Sequence, residues 1–216
     1  MKPSTNPKPR RLMQEGAIYT LAAFAPRIAQ FLALPILLRL LPQDEVGAVA
    51  LLNLVVALGL VIIDFGASGA ASRFVFSHKD LPRSTLTSTL LRRVALSGVL
   101  ALAVSEIGGP KVSPVLLGFD YGLAARVVVL AAVFGSLSAI FLAILRADGR
   151  AARFGSAQVV LIATQTIGSL SLVALGYGIE GYALGVLAGQ AAQLAVLLFT
   201  GRTWIRGSRD SELARQ

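Results

Sequence analysis

The chain has 216 residues, 55% of them hydrophobic and 14% charged, with a mean hydropathy of +0.73 and a net charge of +9. A soluble domain carries roughly 25% charged residues and a soluble helix needs a polar face, so this composition excludes a water-soluble bundle. Cysteine is absent, which excludes disulfides and thiolate metal sites.

The opening "MKPSTNPKPRR" is Pro-rich and basic, and residues 1–15 are expected to form a disordered cytoplasmic leader. Six apolar runs follow, at about 17–38, 46–65, 86–105, 123–145, 155–176 and 181–200. At about 1.5 Å per residue, each can cross a hydrocarbon core of about 30 Å. The first run follows basic residues as a secretory signal would. It is too long for such a signal and lacks a small-residue cleavage site before "QDE", so it reads as a retained span. The expected fold is an all-α integral membrane protein, with a six-span lobe over 16–201 and a cytoplasmic tail over 202–216.

Orientation follows from the basic residues. Sixteen of the twenty Lys and Arg fall on one side of a six-span topology, within Lys2–Arg11, Arg73–Arg93, Arg146–Arg153 and Arg202–Arg215. In the loops of the other side there is only Lys111. The positive-inside rule places both termini in the cytoplasm. The net charge is this topology signal. It is spread over four segments and is not the single basic face of a nucleic-acid binder, so no nucleic-acid partner is expected. Arginine outnumbers lysine 16 to 4 and alanine is abundant, as in proteins from GC-rich bacterial genomes. The expected location is the bacterial plasma (inner) membrane.

Little points to enzyme chemistry. His78, in "FSHKDLPR", is the single histidine, and the eleven acidic residues lie outside the spans or at their ends, with Asp64 of "IIDFGAS" nearest the membrane. There is no G-x-S-x-G and no phosphate-cradling Gly-Lys loop. The expectation is a non-enzymatic protein with no cofactor and no metal.

Inside the spans the informative residue is Arg27, about ten residues into the first run. An arginine at such depth costs at least about 2.5–3.5 kcal/mol, so it should face a cavity or a partner. Thr20, Arg27 and Gln30 are spaced i, i+7, i+10 and share one helical face. Pro26 and Pro35 cannot donate to the carbonyls of Ala22 and Phe31, which frees those carbonyls and favours a bend. A bent helix with one polar stripe suits the wall of a water-filled cavity. The alternative is a packing role in which Arg27 pairs with another span, although no carboxylate lies mid-membrane to receive it. Arg39 and Arg126 fall at the outer ends of their spans, where long basic side chains snorkel to the interface. Asn53, Gln158, Thr164, Gln165, Gln190 and Gln193 read as polar contacts that hold helices together. Gly181, Gly185 and Gly189 form a four-residue glycine repeat, read first as close packing within the chain and second as a protomer or lobe interface.

Four segments carry a family resemblance. "ILLRLLPQDEVGAVALL" resembles the end of the first helix of bacterial polysaccharide exporters, and "DFGASGAASRFV" the Asp-x-Gly segment that follows it there. "AILRADGRAARF" resembles their loop between spans four and five, and "GIEGYALGVLAGQ" their Gly-rich sixth span. The order of these segments covers nearly the whole chain. The chain is identified as similar to the oligosaccharide flippases of Wzx type, in the superfamily that includes MATE multidrug exporters and lipid II flippases.

The resemblance implies alternating-access movement of undecaprenyl-pyrophosphate-linked oligosaccharide between leaflets. It implies binding roles for Arg27, where lipid II flippases carry an arginine, with Gln30 and Thr20 beside it and Arg39 and Arg126 at the rim. Arginine's planar fork of donors matches phosphate oxygens. Members of that family have two six-helix lobes, and this chain corresponds to one. A homodimer, a second six-helix half and a truncated, non-transporting scaffold are the three ways to account for that. A MATE-like multidrug antiporter half is the rival function. Coupling to protons or sodium calls for a carboxylate within the membrane, where this chain has Arg27. The expected partners are therefore a lipid-linked oligosaccharide, membrane lipids and a second lobe.

Overall fold

A computed structural model describes residues 9–77, 83–116 and 122–206. His78, the first eight residues of the expected leader and the last ten of the expected tail lie outside the described residues.

Proline at a helix's first position wastes no backbone hydrogen bond, because the first donors have no partner within the helix. Helix α1 accordingly begins at Pro9, inside the stretch expected to be leader, and runs to Leu40. It continues through both Pro26 and Pro35. Pro42 ends the short turn that follows, and α2 spans Gln43–Asp64 with Asp44 and Glu45 in its first turn, the favourable end for negative charge. The chain then turns through Phe65 (φ 39°) and Gly66 (φ 79°).

The next segment, α3 (Ala67–Ser77), is a helix that the Gly- and Ser-rich sequence did not announce. Asp64 caps it. The Ser68 amide donates to Asp64 Oδ1 at 3.0 Å, and the Ser68 hydroxyl donates to Oδ2 at 2.8 Å. Helix α4 (Arg83–Leu116) runs well past the expected end of the third span, carrying Pro110 and Pro114 within it. Helices α5 (Leu123–Ala147), α6 (Ala151–Leu172) and α7 (Gly178–Arg206) follow, with a π-helical turn at Val173–Tyr177 between the last two. Helix α7 extends five residues into the expected tail.

Among the described residues, four stretches are long and apolar enough to cross a membrane: Gly16–Leu40, Gln43–Asp64, Leu123–Ala147 and Ala151–Gly201. The fourth is 51 residues long and contains both α6 and α7. It folds back on itself at the π-helical turn, where Gly176 (φ 90°) and Gly178 (φ 51°) take backbone conformations that side chains resist. Helix α4 falls outside this set; Arg92, Arg93, Glu106 and Lys111 dilute its apolar surface.

Helix α5 is the hub. It packs against α2, α3, α4 and α7, and most of its side chains are buried, including Val128, Ala131, Ile140 and Phe141. Alanine, glycine and serine make this closeness possible. A Cβ at Gly135 would lie 3.0 Å from Gln190 Oε1 and press on Leu60, while Gly59 and Gly98 meet Ala132 and Val133 in the same way. Small residues that let backbones approach are what hold helices together where lipid supplies no hydrophobic drive.

Candidate functional site

One face of α1 meets α2, α6 and α7 around a cavity of about 370 Å³. Helix α1 contributes Arg27, Gln30, Leu34 and Leu37, which recur at i, i+3, i+7 and i+10 and so lie on a single stripe. Helix α2 adds Val46, Val49 and Asn53, α6 adds Gln165, Thr166 and Ser169, and α7 adds Tyr182. Arg27 stands 13 residues before the end of α1 and Asn53 ten residues after the start of α2, so the polar part of the cavity is about 15–20 Å below that end of the lobe.

The polar groups are held by specific bonds. Asn53 Nδ2 donates to the Tyr182 hydroxyl at 2.9 Å and to the Val49 carbonyl at 3.1 Å. The Tyr182 hydroxyl in turn lies 3.2 Å from Asn53 Oδ1, within donating distance. This pair ties α2 to α7 across the cavity floor. The buried Ser169 hydroxyl donates to the Tyr182 carbonyl at 3.0 Å and ties α6 to α7.

The glycine repeat sets this geometry. A Cβ on Gly189 would sit 2.6 Å from Gln165 Cβ, one on Gly181 would sit 2.9 Å from Leu172 Cβ, and one on Gly185 would overlap Ser169. The repeat therefore packs α7 antiparallel on α6 within the chain, the first of its two readings. Because α7 comes so close, Tyr182 and Ser169 reach the same cavity.

Of the residues singled out from sequence, Arg27 and Gln30 are brought together here. Thr20, two turns away, does not line the cavity, and its hydroxyl is taken by the Gly16 carbonyl at 3.0 Å. Arg39 is exposed in the last turn of α1, where a cation is favoured, and Arg126 pairs with Glu106 across α4 and α5 at 3.2 Å. Neither lines the cavity. The residues that sequence reasoning passed over are Asn53, Gln165, Thr166, Ser169 and Tyr182. Asn53 and Gln165 were visible as amides in spans and read as contacts that hold helices together; Asn53 does this through Tyr182, as Gln193 does by donating to Gln158 Oε1 at 3.2 Å, and what that reading lacked was the cavity that Asn53 and Gln165 also line. Tyr182 had no signal of its own; it lies 129 residues from its partner Asn53.

Chemically, the cavity offers one permanent cation, three amides and three hydroxyls, and no carboxylate lines it among the described residues. Such a set attracts an anion and can hydrogen-bond a polyhydroxylated group.

The family model described as "Polysaccharide biosynthesis protein" matches residues 12–215. No curated protein and no solved structure matches the chain.

Proposed function

The chain belongs to the polysaccharide biosynthesis protein family, and from that premise we propose that this multi-pass membrane protein moves a lipid-linked oligosaccharide across the bacterial inner membrane. The substrate class is a polyprenyl-diphosphate-linked glycan. Its diphosphate is held by Arg27, and its first sugars by the amides and hydroxyls of Gln30, Asn53, Gln165 and Tyr182. Both termini lie in the cytoplasm.

The observation that carries this reading is Arg27 itself, an exposed guanidinium deep in an apolar helix, lining a mostly apolar cavity whose walls also carry amides and hydroxyls. Exposure to lipid would be costly for that side chain, so the cavity face is covered by a second six-helix unit. A second copy of this chain would meet the need. Two copies inserted alike would meet about an axis along the membrane normal and close a C2 pair around the substrate.

Proteoliposomes loaded with a polyprenyl-diphosphate oligosaccharide test the reading. Charge-assisted hydrogen bonds contribute about 1.5–3 kcal/mol each, so losing the fork should slow transport at least about tenfold. Arg27→Ala should abolish flipping while folded protein remains in the membrane. Arg27→Lys should recover part of the rate, because lysine keeps the charge without the planar fork. Normal transport by Arg27→Ala would sink the cavity reading. If Arg27→Ala does not accumulate and Arg27→Lys accumulates but transports at the parent rate, Arg27 serves folding alone.

A further inference from the structure

A second cavity, of about 400 Å³, opens at the opposite end of the lobe, between α3 and α5. The turn at Phe65 and Gly66 redirects the chain, and α3 leans on α5 with Ala67 and Ala71 in the buried core beside Ile140, Ala143 and Ile144. Its walls are Ser68, Gly69 and Ser72 on one side and the α5 face from Ala139 to Ala147 on the other. A Cβ added at Gly69 would meet nothing within 4 Å, so there is free space beside that helix.

The crevice is amphiphilic along its length. Ala139, Leu142 and Ala143 form an apolar floor toward the middle of α5, and Arg146, Ser68 and Ser72 form a polar mouth. Arg146 is exposed, its guanidinium carbon stands 5.1 Å from the centroid of the Phe154 ring, and it makes no ion pair among the described residues. This contact holds the guanidinium over the ring, and its N–H groups can still donate. The Ser72 hydroxyl donates to the Gly69 carbonyl at 2.8 Å, and rotation about one bond would redirect it into the mouth. Asp64, the nearby carboxylate, is committed to capping α3 through Ser68. The surrounding charge is net positive: Arg73, Arg92, Arg93, Arg150 and Arg153 lie toward this end of the lobe against Asp64 and Asp148, the latter 3.9 Å from Arg150.

We propose that this crevice is a binding site for an anionic glycerophospholipid, distinct from the transport cavity. Its phosphate is held by Arg146 and the Ser72 hydroxyl, and its glycerol and upper acyl chain lie along Ala139, Leu142 and Ala143. A soluble anion would use the mouth but leave the apolar floor empty. A lipid fills both and draws on the attraction between basic residues and an anionic leaflet, about 1 kcal/mol per charge near the surface.

The test is native mass spectrometry of the purified full chain, titrated separately with phosphatidylglycerol and phosphatidylethanolamine. The parent should retain phosphatidylglycerol about tenfold better, the worth of one charge-assisted contact. Arg146→Gln should remove that preference. Gly69→Leu fills the crevice without displacing the backbone and should reduce retention of both lipids, and Arg126→Gln, at the far end, should change nothing. Equal retention of the two lipids by the parent would overturn the proposal, as would an unchanged preference in Arg146→Gln. Competition with inorganic phosphate separates the two sources of the anion. A lipid site keeps its phosphatidylglycerol, whereas displacement by phosphate would mean a soluble-anion site and would also overturn the proposal. Should Arg146→Gln fail to accumulate, Arg146→Lys takes its place; it keeps the charge without the planar fork and should hold phosphatidylglycerol less well than the parent, and unchanged retention would overturn the proposal.

Discussion

Replacing Gly185 with alanine tests whether the glycine repeat builds the cavity. The new Cβ would overlap the backbone nitrogen, Cα and hydroxyl of Ser169, more than about 1 Å inside the roughly 3.5–4.0 Å of an ordinary carbon contact. The obstacle is backbone, so no rotamer relieves it, and α6 must move off α7. Overpacking of this kind costs about 1–3 kcal/mol. Separation also stretches the buried bond from the Ser169 hydroxyl to the Tyr182 carbonyl, now 3.0 Å, which adds about 1 kcal/mol. The total is about 2–4 kcal/mol. For a chain of this size each kcal/mol lowers the melting midpoint by about 2–4 °C, so the expected drop is roughly 5–15 °C. The assay is a thermal melt of the purified protein in detergent, run beside Gly108→Ala. A Cβ at Gly108 meets nothing within 4 Å, so that alanine should be neutral or slightly stabilising. Because Ser169 and Tyr182 both line the cavity, transport should fall with the midpoint in Gly185→Ala. A Gly185→Ala protein that melts within about 1 °C of its parent would refute the argument, since two helices that close cannot absorb a methyl group for nothing.

Three further expectations follow from particular contacts. Tyr182→Phe removes the hydroxyl that Asn53 Nδ2 donates to at 2.9 Å, and should cost about 1 kcal/mol in a melt while lowering the transport rate; no change in either would place the pair outside the site. Glu106→Gln breaks the 3.2 Å pair with Arg126, but both side chains are about half exposed, so stability should change by no more than about 1 kcal/mol and transport should be unaffected. Reporter fusions after Gly109 should read periplasm and fusions after Arg150 cytoplasm; the reverse pattern would invert the orientation drawn from the basic residues.

The membrane helices were legible because hydrocarbon demands long apolar runs, and the runs at 46–65 and 123–145 match α2 and α5 to within three residues. The ends were less legible where polar chains continue a helix. Helix α1 reaches back to Pro9, and α4 carries on through Gly108, Gly109 and Pro110, because backbone bonding within a helix persists beyond the apolar stretch that betrays it. Helix α3 was hidden for the opposite reason. "ASGAAS" has turn composition, and what makes it helical is a cap from Asp64 and the fit of Ala67 and Ala71, both with no exposed surface, against α5 and its neighbours. Neither influence can be read from the segment itself.

The same division runs through the cavity. Arg27 could be found from sequence because its cost is local: a guanidinium at that depth is unfavourable whatever surrounds it. Gln30 came with it, through helical periodicity alone. Asn53, Ser169 and Tyr182 are ordinary polar residues whose value depends on where α2, α6 and α7 sit, and that is set by what the glycines leave out. Without side chains at 181, 185 and 189, α7 lies against α6 closely enough for the Ser169 hydroxyl to reach a carbonyl of the next helix and for Tyr182 to reach Asn53. The cation thus supplies the charge and the glycines supply the distance. The glycine repeat was legible as close packing, but which polar side chains that packing gathers was not. That is why Arg39 and Arg126, as charged as Arg27, were natural candidates and stand away from the cavity, while a tyrosine with no signal of its own closes its floor.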